Sequence, residues 1–227
     1  QWDTSKVTDM NSMFDGATTF NQPLTSFDTS QVTNMSGMFS GARAFNQPLT
    51  FNTAQVTNMG HMFQNARAFN QPLMFDTRKV TDMRSMFSRA HAFNQPLTFT
   101  DTSQVTNMGS MFSAAIAFNQ PLDWDTSQVT TMRGMFDVAR AFNQPLTFNT
   151  VQVTNMAFMF SEATTFNQPL TFDTEQVTDM GCMFSEAIAF NQPLTFNTSK
   201  VTDMQSMFHD ATAFNQPLTF DTWEVED

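Results

Sequence analysis

The chain has 227 residues, with 10 Lys and Arg against 21 Asp and Glu and a formal net charge of −11. This acidic balance argues against nucleic acid or an anionic membrane as a partner, because both are bound through clustered Lys and Arg. The single Cys182 excludes a disulfide scaffold, and together with only three scattered His it excludes a zinc or iron–sulfur site, so we expect no metal and no cofactor. No apolar run is long enough to span a bilayer, and we expect no membrane insertion.

One sequence unit recurs from end to end of the chain. Val-Thr-x-Met occurs nine times, is followed each time by Phe-Asn-Gln-Pro-Leu, and begins every 24 or 25 residues. We number each unit from its Val as repeat position 0, and the units begin at Val7, Val32, Val56, Val80, Val105, Val129, Val153, Val177 and Val201. This periodicity predicts a single domain over residues 1–227 made of nine tandem repeats. Both ends stop within a unit, so we also expect the chain to be a segment of a longer protein.

Within each repeat the pattern predicts four elements in chain order. These are an extended segment at Val-Thr-x-Met, a short helical or 3₁₀ turn at Met-Phe-x-x-Ala, a corner at Pro, and a second extended segment at Leu-Thr-Phe-Asp/Asn-Thr. Apolar residues recur at positions 0, 3, 6, 7, 10, 13, 17 and 19. Identical side chains are therefore expected to stack coil on coil at about 4.8 Å. The predicted fold is a right-handed parallel β-solenoid of the leucine-rich-repeat type, with nine coils of 24–25 residues around a Phe and Met core.

The repeat unit resembles that of a known family. The pattern V-T-x-M-x-x-M-F-x-x-A, followed by F-N-Q-P-L and [FW]-D-T-S, is similar to the repeat of BspA-like leucine-rich-repeat surface proteins, and all nine units match it. The resemblance implies a secreted or surface-displayed repeat protein, often an adhesin or antigen. It therefore predicts an extracellular or cell-surface location.

Polar residues at fixed repeat positions supply the first candidate binding surface. The Thr of position 18 and the Asp or Asn that follows the next aromatic residue form a candidate ladder face, comprising Thr25, Thr50, Thr98, Thr147, Thr171, Thr195, Thr219, Asp28 and Asp173. Further polar columns are the Thr at positions 1 and 21 and the Asn-Gln pair at positions 14 and 15.

Three interpretations of these columns remain open from the residues alone. The Asp and Asn side chains cap backbone donors at turns, which is ordinary turn chemistry. Alternatively, neighbouring carboxylates such as Asp76, Asp101 and Asp125 recruit Ca²⁺, although calcium needs about six to eight oxygen ligands. Finally, the regularly spaced Thr hydroxyls and methyls suit an ice-binding face, although Met74 and Asp123 interrupt the column.

Variable positions supply a second candidate surface, because recognition in repeat arrays is carried by outward residues that differ between repeats. The variation concentrates at positions 4, 5, 8, 9, 11 and 12. Five basic residues lie close together in the chain and form a candidate basic patch: Arg67, Arg78, Lys79, Arg84 and Arg89. The patch suits an acidic glycan or a neighbouring chain, or it only offsets the ladder Asp residues.

No catalytic residue is expected in this chain. His61, His91 and His209 fall at positions 5, 11 and 8 of different repeats, so they cannot converge on one metal or base site. Each carboxylate is a single member of a column that recurs once per repeat in the same surroundings. The sequence therefore offers no pair of carboxylates whose different surroundings would give one a high pKa and the other a low pKa, as acid–base catalysis requires.

The predicted function is a non-enzymatic extracellular or surface module for adhesion or structural binding of a protein or glycan. An ice-binding solenoid that uses the Thr ladders is the alternative, and a structural filament subunit is the third hypothesis. An open parallel stack exposes unpaired backbone and apolar surface at its ends, so end-to-end self-association is also considered. The sequence 222–227 is interpreted as a charged terminator.

Overall fold

A computed structural model describes residues 2–220, and the predicted terminator at 222–227 lies outside them. Successive repeats lie directly on one another and are joined by backbone hydrogen bonds. In the third repeat, N–H groups at positions 3, 5, 7 and 9 donate to carbonyls at positions 2, 4, 6 and 8 of the fourth. Two of these bonds are His61 N to Arg84 O at 2.8 Å and Asn65 N to Ser88 O at 2.7 Å. The chain is therefore a stack of repeats bonded to one another through the backbone.

Residues 2–220 form neither helix nor sheet. The backbone makes only isolated parallel bridges, which link position 2 of successive repeats from Asp9 to Asp203, together with Leu73 to Leu97 and Leu122 to Leu146. The prediction of a parallel β-solenoid of the leucine-rich-repeat type is therefore wrong. So are the two extended strands predicted in each repeat and the helical or 3₁₀ turn predicted at Met-Phe-x-x-Ala.

Consecutive turns occupy positions 3 to 10 of each repeat, a segment that includes the predicted helical or 3₁₀ turn. In the third repeat, Met62 N donates to Met59 O at 3.2 Å, Gln64 N to His61 O at 3.0 Å, and Ala66 N to Phe63 O at 3.0 Å. Such bonds between residues three apart close turns rather than pair strands.

Left-handed residues at positions 5 and 9 separate these turns. His61 and Asn65 have φ of 59° and 56°, in the left-handed region, which interrupts both helix and strand. The other residues at these two positions with positive φ are Ser12, Gly16, Gly37, Gly41, Ser85, Arg89, Ser110, Ala114, Gly134, Val138, Phe158, Glu162, Cys182, Glu186, Ser206 and Asp210. Their amides still bond to the next repeat, so inter-repeat hydrogen bonding survives without a sheet.

The predicted apolar columns form the core, which confirms that part of the sequence analysis. In the second to the eighth repeat, the residues at positions 0, 3, 6, 7, 10 and 13 are almost wholly buried. Phenylalanine rings stack within and between repeats: the centroids of Phe63 and Phe69 lie 4.1 Å apart, and those of Phe63 and Phe87 lie 5.6 Å apart. Offset stacking of this kind stabilises aromatic pairs by about 0.5–1.5 kcal/mol beyond area burial.

Two polar ladders tie neighbouring repeats together. Thr53 is buried, its Oγ1 donates to Asp76 O at 3.0 Å, and the same oxygen accepts Asp76 N–H at 2.8 Å. Asn46 Oδ1 accepts both Asn70 N–H at 2.9 Å and Gln71 Nε2 at 3.0 Å. These ladders satisfy backbone groups that a sheet would otherwise pair. No helix suited to crossing a membrane occurs in the described chain.

Candidate functional site

The Thr of the candidate ladder face lie on the surface. Thr25, Thr50, Thr98, Thr147, Thr171, Thr195 and Thr219 are all exposed. Met74, which is 87% exposed, and Asp123, which is also exposed, interrupt the column. The structure thus brings these seven Thr to one face but not into an unbroken array.

Asp28 and Asp173 act in turns. Asp28 Oδ1 accepts Ser30 N–H at 2.9 Å, and Asp173 Oδ1 accepts Glu175 N–H at 3.0 Å. The hydrogen bonds from Ser30 lower the pKa of Asp28. Each carboxylate therefore caps a backbone donor, as in an Asx turn.

Calcium binding by the same ladder gains no geometric support. Asp76 pairs with Arg78, whose Nη2 lies 2.6 Å from the Asp76 Oδ2. Between residues 2 and 220 no three His, Cys, Asp or Glu side chains gather closely enough to hold a metal ion.

A second Thr column is continuous. Thr occupies position 1 in every repeat, and each of these residues is exposed. The hydroxyl of each Thr from Thr33 to Thr202 donates to the backbone carbonyl of the preceding Thr at 3.2–3.3 Å. The shared bond orients these hydroxyls alike.

The candidate basic patch divides between two parts of the surface. Arg78 pairs with Asp76, the Arg84 Nε lies 3.1 Å from Asp82 Oδ2, and Lys79 Nζ donates to Gln55 Oε1 at 2.7 Å. These three cations already have partners within the stack.

Arg67 and Arg89 instead join two basic residues outside the predicted patch. Position 11 holds Arg43, Arg67 and His91 in consecutive repeats. The backbone sets them side by side, since Ala68 N donates to Arg43 O and Ala92 N to Arg67 O, both at 3.1 Å. We call Arg43, Arg67, Arg89 and His91 the arginine cluster.

The charges around His91 are consistent with a cationic region. Burial, together with the charges of Arg67 and Arg89, lowers the pKa of His91. Arg67 Nε donates to the neutral Asn65 Oδ1 at 3.0 Å. Within residues 2–220 no carboxylate lies within 4.0 Å of a guanidinium nitrogen of Arg43, Arg67 or Arg89.

A surface groove of about 350 Å³ adjoins the cluster. Its lining contains no aliphatic or aromatic side chain and comprises Asp15, Gly16, Thr18, Ser40, Gly41, Arg43, Gln64, Asn65 and Arg89. Gly16 and Gly41 occupy position 9, where the next two repeats carry Asn65 and Arg89. A Cβ added at Gly16 would meet nothing within 4 Å, so the missing side chains leave the groove open.

The family comparison covers the whole chain. The model of the family described as "Mycoplasma protein of unknown function, DUF285" matches residues 1–74, 73–150 and 146–227. The chain belongs to this family. Three tandem matches show a repeat protein, which the sequence analysis predicted, but they do not identify the BspA-like family specifically. No curated protein and no solved structure matches the chain.

Sequence reasoning on this DUF285 chain left Arg43 and His91 out of the predicted patch, and it did not single out the two glycines of the groove. The predicted patch was chosen by closeness along the chain, whereas the stack brings together residues one repeat apart. The signal available was the column at position 11, in which Arg43, Arg67 and His91 follow one another.

Proposed function

We propose that the chain is a non-enzymatic extracellular or cell-surface module that binds a protein or glycan. Its binding surface is the variable face, which we define by repeat positions 8, 9 and 11. The resemblance of the repeat unit to that of BspA-like surface proteins supports the location, and we propose that the chain is related to them.

The observation that carries this proposal is the column at position 9. It reads Gly16, Gly41, Asn65, Arg89, Ala114, Val138, Glu162, Glu186 and Asp210. All nine residues have φ between 51° and 68°. Each of the first eight donates its N–H to position 8 of the next repeat. The backbone conformation at position 9 is therefore the same in every repeat. The residue there changes along the stack from glycine to polar, basic, apolar and finally acidic side chains.

Such variation favours recognition over a purely structural role. A residue that only built the stack would be the same in each repeat, as Phe is at position 7. A left-handed conformation costs a side-chain-bearing residue about 1–2 kcal/mol, so Gly would suit position 9 throughout if stability alone mattered.

A binding screen with a matched pair of surface variants tests the proposal. The purified chain is assayed against immobilised glycans and extracellular matrix proteins, and saturable binding to at least one ligand is expected. Asn65→Trp and Ala114→Trp place bulk on the variable face and should weaken binding about tenfold or more, whereas Gln104→Trp and Gln128→Trp, at exposed sites before position 0, should not. Absence of any saturable ligand, or equal losses in both pairs, would contradict the proposal.

Ice binding is the second candidate, and the unbroken Thr column at position 1 favours it. The column is flanked by exposed Lys and Gln before position 0 and, at position 2, by Asp or Asn in every repeat except the sixth, which carries Thr131. Charged neighbours hold water strongly, which places this candidate second. Ice recrystallisation and thermal hysteresis are the assays. Loss of activity in Thr130→Tyr would support the position 1 face, loss in Thr171→Tyr would support the position 18 face, and an inactive chain would remove this candidate.

End-to-end association is the feature that the filament hypothesis requires. Trp2 is 62% exposed and lines an apolar pocket with Phe14, Phe20 and Phe27. Light scattering after size exclusion tests it, since a filament subunit should show a mass that rises with concentration and falls in Trp2→Ser. A constant monomer mass would remove the filament hypothesis.

A further inference from the structure

The arginine cluster gathers three arginines that form no ion pair within residues 2–220. The side chains of Arg78, Arg84, Arg133 and Arg140 have carboxylate partners 2.6–3.6 Å away. The three Arg of the cluster have no such partner within residues 2–220, although the chain carries a net charge of −11. Like charges on neighbouring repeats repel one another, so an anion bound among these arginines would relieve that repulsion.

The groove offers hydroxyl, amide and guanidinium groups in one place. Thr18 and Ser40 supply hydroxyls, Gln64 supplies an amide, and Arg43 and Arg89 supply planar forks that bind oxyanions through paired hydrogen bonds. Asp15 also lines the groove and can accept hydrogen bonds from ligand hydroxyls. This combination fits a ligand that carries both anionic oxygens and hydroxyls.

The lining also favours a carbohydrate over a protein partner. Protein interfaces derive most of their affinity from a few buried anchors, which are rich in Trp, Tyr and Arg and sit in desolvated pockets. The groove lining contains no apolar or aromatic side chain that could form such a pocket. A sugar bearing sulfate groups presents the anionic oxygens and the hydroxyls together.

We propose that Arg43, Arg67, Arg89 and His91, with the adjoining groove, form a binding site for sulfated polysaccharide. The inference rests on the proposed function, because it names the ligand class for the variable face. Neighbouring repeats place Arg43, Arg67 and His91 in a line along the stack. An extended polyanion lying parallel to that line contacts the guanidinium groups of Arg43 and Arg67 and then the imidazole of His91, which can donate a hydrogen bond.

The test measures binding of dextran sulfate to the full chain at physiological ionic strength, with uncharged dextran, inorganic sulfate and polyglutamate as comparison probes. We expect dextran sulfate to bind and uncharged dextran not to. Inorganic sulfate should compete only weakly, because one ion engages fewer of the three arginines. Binding of polyglutamate as tight as that of dextran sulfate would overturn the carbohydrate assignment in favour of an acidic protein partner.

Matched charge variants locate the site. Arg67→Gln and Arg89→Gln should each weaken dextran sulfate binding about tenfold, which corresponds to ~1.4 kcal/mol. Arg78→Gln and Arg84→Gln change the net charge by the same amount and should weaken it less than about twofold, because these side chains are already ion-paired. Equal losses in both pairs would overturn the site, since they would indicate attraction to overall charge alone.

Filling the groove provides a readout that does not remove a cation. Gly16→Glu introduces at position 9 a residue type that Glu162 and Glu186 already provide there with positive φ. Since a Cβ at Gly16 meets no atom within 4 Å, the variant should fold and lose dextran sulfate binding. Retained binding in a folded Gly16→Glu variant would exclude the groove.

Failure of this inference is distinguishable from failure of the proposed function. A chain that binds no dextran sulfate but binds another glycan or protein through position 9 would refute the sulfated ligand alone. A chain that binds dextran sulfate only through residues off the variable face would refute both proposals.

Discussion

Replacing Asn119 by Ala removes one side chain from the amide ladder that joins the repeats. Asn119 Oδ1 accepts Asn143 N–H at 2.9 Å and Gln144 Nε2 at 3.2 Å. Gln144 Nε2 also contacts Asn119 O at 3.3 Å, so it keeps a partner in the variant. The half-buried Asn143 N–H loses its acceptor, and we expect a loss of about 1–3 kcal/mol in the free energy of unfolding.

Two control variants separate the acceptor from other effects of the substitution. Asn119→Asp keeps an oxygen acceptor of the same shape and should lose much less than Asn119→Ala. Asn215→Ala removes the same side chain from the last repeat, where Asn215 Oδ1 accepts no hydrogen bond from the residues described. Its expected loss is within about 0.5 kcal/mol, as for an ordinary surface substitution.

The assay is urea unfolding followed by far-ultraviolet circular dichroism, with the slope of the transition fitted for each variant. Equal losses for Asn119→Ala and Asn215→Ala would refute the reasoning, because only Asn119 bonds to a following repeat. An equal loss for Asn119→Asp would also refute it, since the oxygen acceptor would then contribute nothing.

Three further predictions concern the core and one half-buried carboxylate. Phe112→Ala should cost about 3–5 kcal/mol in urea unfolding and Phe14→Ala clearly less, because Phe112 is wholly buried and Phe14 is only half-buried; equal costs would contradict this. Trp124 Nε1 is buried with no hydrogen-bond partner among residues 2–220. Trp124→Phe should therefore lower the free energy of unfolding by less than about 1 kcal/mol, and a larger loss would indicate that Nε1 does donate a hydrogen bond. Burial raises the pKa of Asp137, so ionisation of this carboxyl destabilises the folded chain once the pH exceeds its raised pKa. Asp137→Asn should therefore be more stable than the parent at pH 7, and the difference in the free energy of unfolding should vanish near pH 4. A difference that does not depend on pH would contradict this.

The composition and spacing determined which side chains are buried. A position filled by Phe, Met or Ala in every repeat must meet the same environment each time, and stacking supplies it by placing like residues on one another. The columns of Phe14 to Phe208 and of Met10 to Met204 could therefore be assigned to the core without knowledge of the backbone path. The family comparison agrees that the chain is a repeat protein.

The backbone path could not be inferred in the same way. Positions 5 and 9 are left-handed, yet Gly fills them in only some repeats, and elsewhere they hold residues such as His61, Val138 and Phe158. Their conformation is imposed by amide bonds to the next repeat, such as Val138 N to Ser161 O at 2.7 Å. The sequence signal for a left-handed residue is glycine, and without it in most repeats the turns at positions 5 and 9 could not be predicted. The strands were predicted elsewhere in the repeat, from alternating β-branched and aromatic residues, and the structure does not form them.

The arginine cluster shows the same division between sequence and tertiary structure. The sequence shows few basic residues among many acidic ones, with five of the basic residues close together in the chain. The basic patch was predicted from that clustering alone. Ion pairing then removed Arg78 and Arg84 from it, while stacking added Arg43 and His91 from neighbouring repeats. Residues that are close in the chain need not share a surface. In a stack of repeats, the residues that share a surface are one repeat apart in the chain. Only the folded backbone and its ion pairs decide which of those side chains remain free to bind a ligand.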